Sequence, residues 1–289
     1  MNKYIEEIKK FCSNMNIKLS DYPGMLELSK VIALYAHRNQ RRENGEPYVN
    51  HPFRVLEKYY DILIYKNVFS QELDLMRKYN IPCGEIKCVC VLHDVVEDSE
   101  LTINDLYEIF DYFHGGDYFK SYVATPLSYI THDKSVDYKE YIEIVMKDPE
   151  SALVKLLDLQ DNLNILSLNK FDEKNYERAT KYLGYIKMIN DKYHFIENAA
   201  LYRKEFNQMM KELKPHYYIV EYKRLVRTYD HCFFEMYWNN VWEDNPGVYS
   251  RWYDCDWFEE ISEERAMELT KTYTVSQIDI DLKDNKPLY

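Results

Sequence analysis

Between Ile86 and Val96 every residue is apolar except Lys87, His93 and Asp94. A helix that is apolar all round belongs at the centre of a fold, and this one carries a histidine and an aspartate into that centre. A buried carboxylate without a partner is strongly unfavourable. The segment therefore constrains the chain twice: other elements have to surround it, and something has to compensate Asp94. Metal coordination would do so.

The remainder supplies helices for that purpose. With only 7 Gly and 9 Pro in 289 residues, tight turns are scarce and long helices are favoured over a many-stranded β fold. Apolar residues at helical spacing predict helices over 3–14, 23–40, 70–79 and 84–97, the last two parted by Asn80-Ile81-Pro82. Asn44-Gly45-Glu46-Pro47 reads as a turn, and His51-Pro52 opens the next helix with proline where its missing N–H matters least. Thr102 fits an N-cap before Ile103 to Phe110. After the loop at His114-Gly115-Gly116, helices resume over 119–130, 138–147, 149–168, 172–190 and 194–213.

The texture changes after Lys214-Pro215. Residues 216–222 and 233–238 are aromatic and β-favouring, a helix capped by Ser262 is expected over 262–272, and Val275 to Leu282 alternates as a half-buried strand would. The fold class expected is mainly α: a helical bundle over residues 1–213, with a small aromatic-rich α+β region over 214–289.

Charge and cysteine usage narrow the function. A net charge of −12 lacks the basic footprint that a nucleic-acid polymer requires, yet it is compatible with a small anionic nucleotide if a metal and a few basic side chains reverse the local field. Cys12, Cys83, Cys88, Cys90, Cys232 and Cys255 form no CxxC pair and read as reduced thiols. The start Met1-Asn2-Lys3-Tyr4 is too polar for a signal peptide. No apolar stretch approaches the ~20 residues of a membrane span. A soluble cytoplasmic protein is expected, with no membrane partner and possible homo-oligomers.

The chemistry gathers in three places. His93 and Asp94 are adjacent, Glu97 and Asp98 follow each of them by four residues, and four residues is about one helical turn. Asp158 and Asn162 repeat that spacing on a later helix, and His51 comes from a helix start. Two imidazoles and two carboxylates suit Mn²⁺, with Fe²⁺ or Zn²⁺ less favoured by ligand type. Such an ion leaves positions open for a water and a phosphoryl oxygen, which fits hydrolysis of a phosphoester or phosphoanhydride.

Taken in order, Ala36-His37, Gln40-Arg41-Arg42, Gly45-Glu46-Pro47-Tyr48 and His51-Pro52, then Leu92-His93-Asp94-Val95-Val96-Glu97-Asp98, then Val154-Lys155-Leu156-Leu157-Asp158 with Asn162, the motifs resemble the HD-superfamily hydrolase domain of RelA/SpoT-type proteins. The resemblance covers residues 20–190. It implies an all-helical domain, a Mn²⁺ site and removal of the 3′-pyrophosphate of (p)ppGpp. By position it implies His51, His93, Asp94 and Asp158 as metal ligands, Glu97 and Asp98 as the residues that activate or position water, and Arg42, Asn162 and Thr131 as substrate-binding residues. Arg42 would stack on the nucleobase, a role suited to a flat guanidinium.

The chain departs from the family pattern in three places. Glu43 follows Arg42 where the family often has a basic residue, Leu159-Gln160-Asp161 follows Asp158 where another basic residue is usual, and an insertion is expected around residues 65–82. The first two remove positive charge where an anionic substrate would bind, leaving Arg38, Arg41, Lys134 or Lys155 to compensate. The alternatives are therefore an HD-type hydrolase of another phosphorylated nucleotide, or a nucleotide-binding regulatory protein without turnover. Nothing in 214–289 resembles a synthetase domain, so synthesis of alarmone is not expected.

Overall fold

The computed structural model describes residues 2–63, 70–83, 85–165, 168–170, 172–220, 224–229, 233–238, 240–244 and 258–271. Its contacts divide the chain into two units, Met1–Ile64 with Met76–Leu201 and Tyr65–Leu75 with Tyr202–Tyr289. The expectation of a mainly helical bundle with a small sheet near the C-terminus is met.

In the first unit the order is α1 (Lys3–Asn14), α2 (Met25–Ala36), α3 (Asn50–Ile62), α4 (Ser70–Lys78, which continues out of the second unit), α5 (Ile86–Leu92), α6 (Val95–Asp98), α7 (Ile103–Tyr112), α8 (Gly116–Tyr122), α9 (Ala124–Ile130), α10 (Tyr138–Val145), α11 (Pro149–Asn162) and α12 (Glu173–Tyr193). The apolar segment takes the central place that its composition demands. Ile86, Cys88, Val89, Cys90, Val91 and Leu92 are all fully buried, and α5 packs against α2, α3, α9 and α11. Each large aliphatic side chain buried there contributes about 1.5–3 kcal/mol relative to exposure.

Two expected helices are each broken in two, with local reasons. The stretch 84–97 stops at Leu92 and restarts at Val95. The Cys90 carbonyl, which a continuing helix would reserve for the Asp94 N–H, takes the His93 Nδ1–H at 2.8 Å. Asp94 turns to φ −95°, ψ −8° as the N-cap of α6. Farther on, Pro126 has no N–H to give the Tyr122 carbonyl and would clash with it, so α8 ends at Tyr122 and α9 begins at Ala124.

The caps follow the sequence more closely. Thr102 and Asp105 form a reciprocal capping box at α7, and Asp148 caps α11 with Pro149 at its start. Gly45 adopts φ +86°, a conformation an L side chain resists, and this lets the expected turn close with Arg41 bridging Pro47.

α13 (Phe195–Glu212) runs from the first unit into the second. There the strands β1 (His216–Val220), β2 (Arg224–Tyr229), β3 (Phe233–Trp238), β4 (Val241–Asp244) and β5 (Phe258–Ile261) form an antiparallel sheet in the order β4-β3-β2-β1-β5. Tyr218 pairs with Val226, and Val226 with Met236. α14 (Glu263–Leu269), whose N-cap Ser262 accepts the Arg265 N–H, contributes Ala266 to a core with Tyr217 and Leu225. β2 escapes the pattern reading because Arg224 and Arg227 interrupt its alternation on both faces. The strand expected over 275–282 lies outside the described residues, as do Trp252 and Trp257. Cys12, Cys83, Cys88 and Cys90 are free thiols. Among the described residues no helix is long and apolar enough to cross a membrane.

Candidate metal centre and substrate cleft

Four helices, α3, α5, α6 and α11, converge on one point in the first unit. α3 opens with His51, the α5–α6 break presents His93 and Asp94, and α11 brings Asp158. His51 Nε2 lies 3.0 Å from Asp158 Oδ1 and 3.5 Å from Asp94 Oδ2. His93 Nε2 lies 3.2 Å from Asp94 Oδ2 and 3.9 Å from Asp158 Oδ1. One ligand atom each from His51, His93 and Asp94 fall within 4.8 Å of one another.

The other ring nitrogens are spoken for. His93 Nδ1 donates to the Cys90 carbonyl at 2.8 Å, and His51 Nδ1 donates to Asp161 Oδ2 at 2.8 Å. Both Nε2 atoms are thereby turned toward the carboxylates. His93 Nε2 is buried, with Asp94 Oδ2 at 3.2 Å but no well-aligned hydrogen bond to it. The donor set fits a divalent ion: two imidazoles and two carboxylates meet at one buried point. His51, His93 and Asp94 could hold a metal ion between them.

The electrostatics are severe. Burial opposes the charge on His51, yet hydrogen bonds to Asp158 and Asp161 push its pKa up to about 9. Burial likewise opposes a charged His93, and Asp94 reverses that. Desolvation would raise Asp158, but the Lys155 ammonium 2.8 Å away and the two imidazoles hold it well below the usual carboxylate range. The imidazoles supply in this structure the positive charge that the carboxylates require.

Glu97 and Asp98 flank the cluster through different partners. Glu97 accepts the His132 N–H at 3.1 Å; burial raises its pKa, with the His132 bond and Lys155 pulling the other way. The Tyr48 hydroxyl lies 2.9 Å from both Asp94 Oδ2 and Asp98 Oδ2, and the Asp98 carbonyl accepts from Gln40 Nε2. Tyr48 was legible only as part of a motif, and its position between the two aspartates came from the fold. Asn162 donates to Asp158 Oδ1 at 2.6 Å and accepts from Arg42. Thr131 joins none of these hydrogen bonds; its hydroxyl donates to the Leu127 carbonyl at the end of α9.

Beside the cluster lies an open cleft of about 280 Å³, lined by Arg41, Arg42, Glu43, Tyr48, Asn162, Arg178 and Tyr182 among others. Arg178 and Tyr182 come from α12, one turn apart, and sequence reading missed both because an amphipathic helix face gives no chemical signal. Of the basic residues expected to compensate for Glu43, only Arg41 lines this cleft. Lys155 is paired with Asp158, and Arg38 lies over the Tyr35 ring.

No family model matches the chain. Among curated proteins it is 29% identical over 166 residues to the guanosine-3′,5′-bis(diphosphate) 3′-pyrophosphohydrolase MESH1 of Drosophila melanogaster, covering 55% of this chain and 79% of that one. It is similar to ppGpp pyrophosphohydrolases. The zebrafish (Danio rerio) protein of the same name is 27% identical over 160 residues, covering 53% of this chain and 75% of the relative. A solved structure of a metazoan SpoT orthologue that hydrolyses ppGpp superposes with TM-score 0.42 and 21% identity, over 65% of this chain and 97% of that one. The curated relatives bear out the resemblance drawn from the motifs, over about half of this chain.

Proposed function

We propose that the chain is a Mn²⁺-dependent phosphohydrolase that removes the 3′-pyrophosphate of (p)ppGpp. One observation carries the reading: His51, His93, Asp94 and Asp158 bring two imidazoles and two carboxylates together at one buried point, beside a cleft lined by three guanidinium groups. The relatives' names supply the substrate.

His51, His93, Asp94 and Asp158 would hold the ion, which lowers the pKa of water and polarises a phosphoryl oxygen when bound. Glu97, with its raised proton affinity, takes a proton from the attacking water. Asp98 is steadied through Tyr48 and orients that water. The water oxygen bonds to the phosphorus at O3′ as the O3′–P bond breaks, the leaving O3′ takes up the proton that Glu97 removed, and the products are the 3′-hydroxyl and pyrophosphate. Arg42 and Arg178 carry the charge that binds an anionic nucleotide, and Tyr182 offers it an aromatic face. Arg42 is held by Asp161 and Asn162, so stacking on a base would require it to share those bonds.

A second reading has its own observation. Glu43 sits in the cleft with the arginines, and a carboxylate there disfavours the most highly phosphorylated ligands. Hydrolysis of another phosphorylated nucleotide follows if that repulsion decides. The test is ppGpp with Mn²⁺, products resolved by ion exchange, beside Asp94→Ala. The expected outcome is GDP plus pyrophosphate from the wild type and nothing above background from the variant. Intact ppGpp with turnover of another nucleotide would move the substrate to the second reading, and metal binding without turnover of any nucleotide would leave only a regulatory binding role.

A further inference from the structure

The two imidazoles of the cluster are backed by different groups. Behind His93 stands a neutral backbone carbonyl, that of Cys90. Behind His51 stands a full carboxylate: Asp161, whose side chain is only 2% exposed, accepts from His51 Nδ1 at 2.8 Å. Asp161 is not solvated in compensation. Arg54 Nε approaches Oδ1 at 3.0 Å and Arg54 Nη2 approaches Oδ2 at 3.1 Å. Arg42 Nη1 donates to Oδ2 at 3.2 Å, and the Lys58 ammonium lies 3.8 Å from Oδ1. Arg54 is itself fixed by Glu46, with contacts of 3.0 and 3.2 Å.

We propose that Asp161 is a positioning residue for the metal centre, holding His51 in the Nδ1–H form with Nε2 turned to the ion and tying that imidazole to Arg42 in the cleft. This rests on the metal-dependent reading above. A carboxylate behind a ligating histidine fixes the ring's tautomer and orientation and strengthens its donor nitrogen; losing such a partner typically weakens metal binding by about 10–100-fold. Helix periodicity makes the arrangement possible, because Asp158 and Asp161 are three residues apart and share a face of α11. Asp158 then reaches His51 Nε2 while Asp161 reaches Nδ1 of the same ring. Arg54, three residues after His51 on α3, holds both oxygens of Asp161 as well. The acidic residue that departs from the family pattern is thereby given a task.

The test is Mn²⁺ affinity of the full chain, by titration calorimetry or the electron paramagnetic resonance signal of free Mn²⁺, for wild type, Asp161→Asn and Asp161→Ala. Circular dichroism reports folding. Asp161→Ala is expected to bind about 100-fold more weakly. Asp161→Asn, which keeps an acceptor for Nδ1–H but loses the charge, is expected to bind about 10-fold more weakly. In both, the loss in metal affinity should exceed the loss in kcat at saturating Mn²⁺. If Asp161→Ala does not fold, the isosteric Asp161→Asn carries the measurement. A folded Asp161 variant with wild-type Mn²⁺ affinity overturns the proposal and leaves the metal reading intact. A wild-type protein that binds no Mn²⁺ overturns both.

Discussion

Along α11 the first unit buries Lys155, Asp158 and Asp161 on a single helix, whereas the second unit, though it buries Arg224, has a core cluster of Tyr217, Leu225 and Ala266, side chains that chiefly need to leave water. The difference shows what each core requires of its neighbours. Apolar side chains are satisfied by any partner of suitable volume, and swaps that conserve volume are tolerated. Buried charges are satisfied only by specific atoms at specific distances, and removing one leaves its partner uncompensated. Lys155 answers Asp158, His51 answers both aspartates, and Arg54 and Arg42 answer Asp161. A network so interdependent marks a site; a core cluster filled by volume marks a scaffold.

The contrast can be broken most sharply at Glu97. Glu97→Gln is expected to retain Mn²⁺ affinity and thermal stability while hydrolysis slows by about 100-fold or more, the scale of lost acid–base help; full activity in this variant would remove Glu97 from the mechanism. The opposite behaviour is expected of Leu225→Ala in the sheet. Chemical denaturation should show about 2–3 kcal/mol of lost stability, typical of a large-to-small core change, with kcat per folded molecule unchanged. A fall in kcat would mean that the sheet shapes the catalytic step.

Smaller effects sharpen the picture within the first unit. Arg178→Gln is expected to raise KM about 10-fold, as loss of one charge-assisted hydrogen bond implies, and to lessen the salt dependence of KM, with kcat little altered. An unchanged KM would place the substrate elsewhere in the cleft.

The smallest effect concerns Glu150, whose pKa is pushed up to about 7 by burial and by its neighbours Asp148 and Glu85. Its proton is held more tightly in the folded chain than in the unfolded one, so the cost to stability is absent in acid, grows as pH rises through the range from about 4.5 to about 7, and is complete above that. Glu150→Gln should therefore raise the melting temperature at pH 8, by roughly 1 kcal/mol of stability after solvent screening, and leave it unchanged at pH 4. Equal melting curves at pH 8 would show that Glu150 is as well solvated folded as unfolded.

The residues of the candidate centre were legible because metal chemistry admits few side chains. His51, His93, Asp94 and Asp158 stood out by type and spacing, and the fold gathers all four. Residues that act through others were not legible. Tyr48 bridges Asp94 and Asp98, Asp161 backs His51, and Arg178 and Tyr182 face the cleft, yet tyrosines and charged residues recur along the whole chain. Helix ends were misread for a related reason. The break at His93 depends on a ring competing for a carbonyl, and periodicity records no such competition.

The sequence by itself determined the class of the fold, the central place of Ile86–Val96 and the elements of the candidate ligand set. Each of these follows from burial energetics or from coordination preference, properties that belong to residues wherever they stand. Tertiary structure alone decided which nitrogen of each imidazole faces the carboxylates, where Arg42 and Arg178 stand relative to Glu43, and that Asp161 looks inward to His51. These depend on distances between helices far apart in the chain, and electrostatic and hydrogen-bond energies change steeply over an ångström.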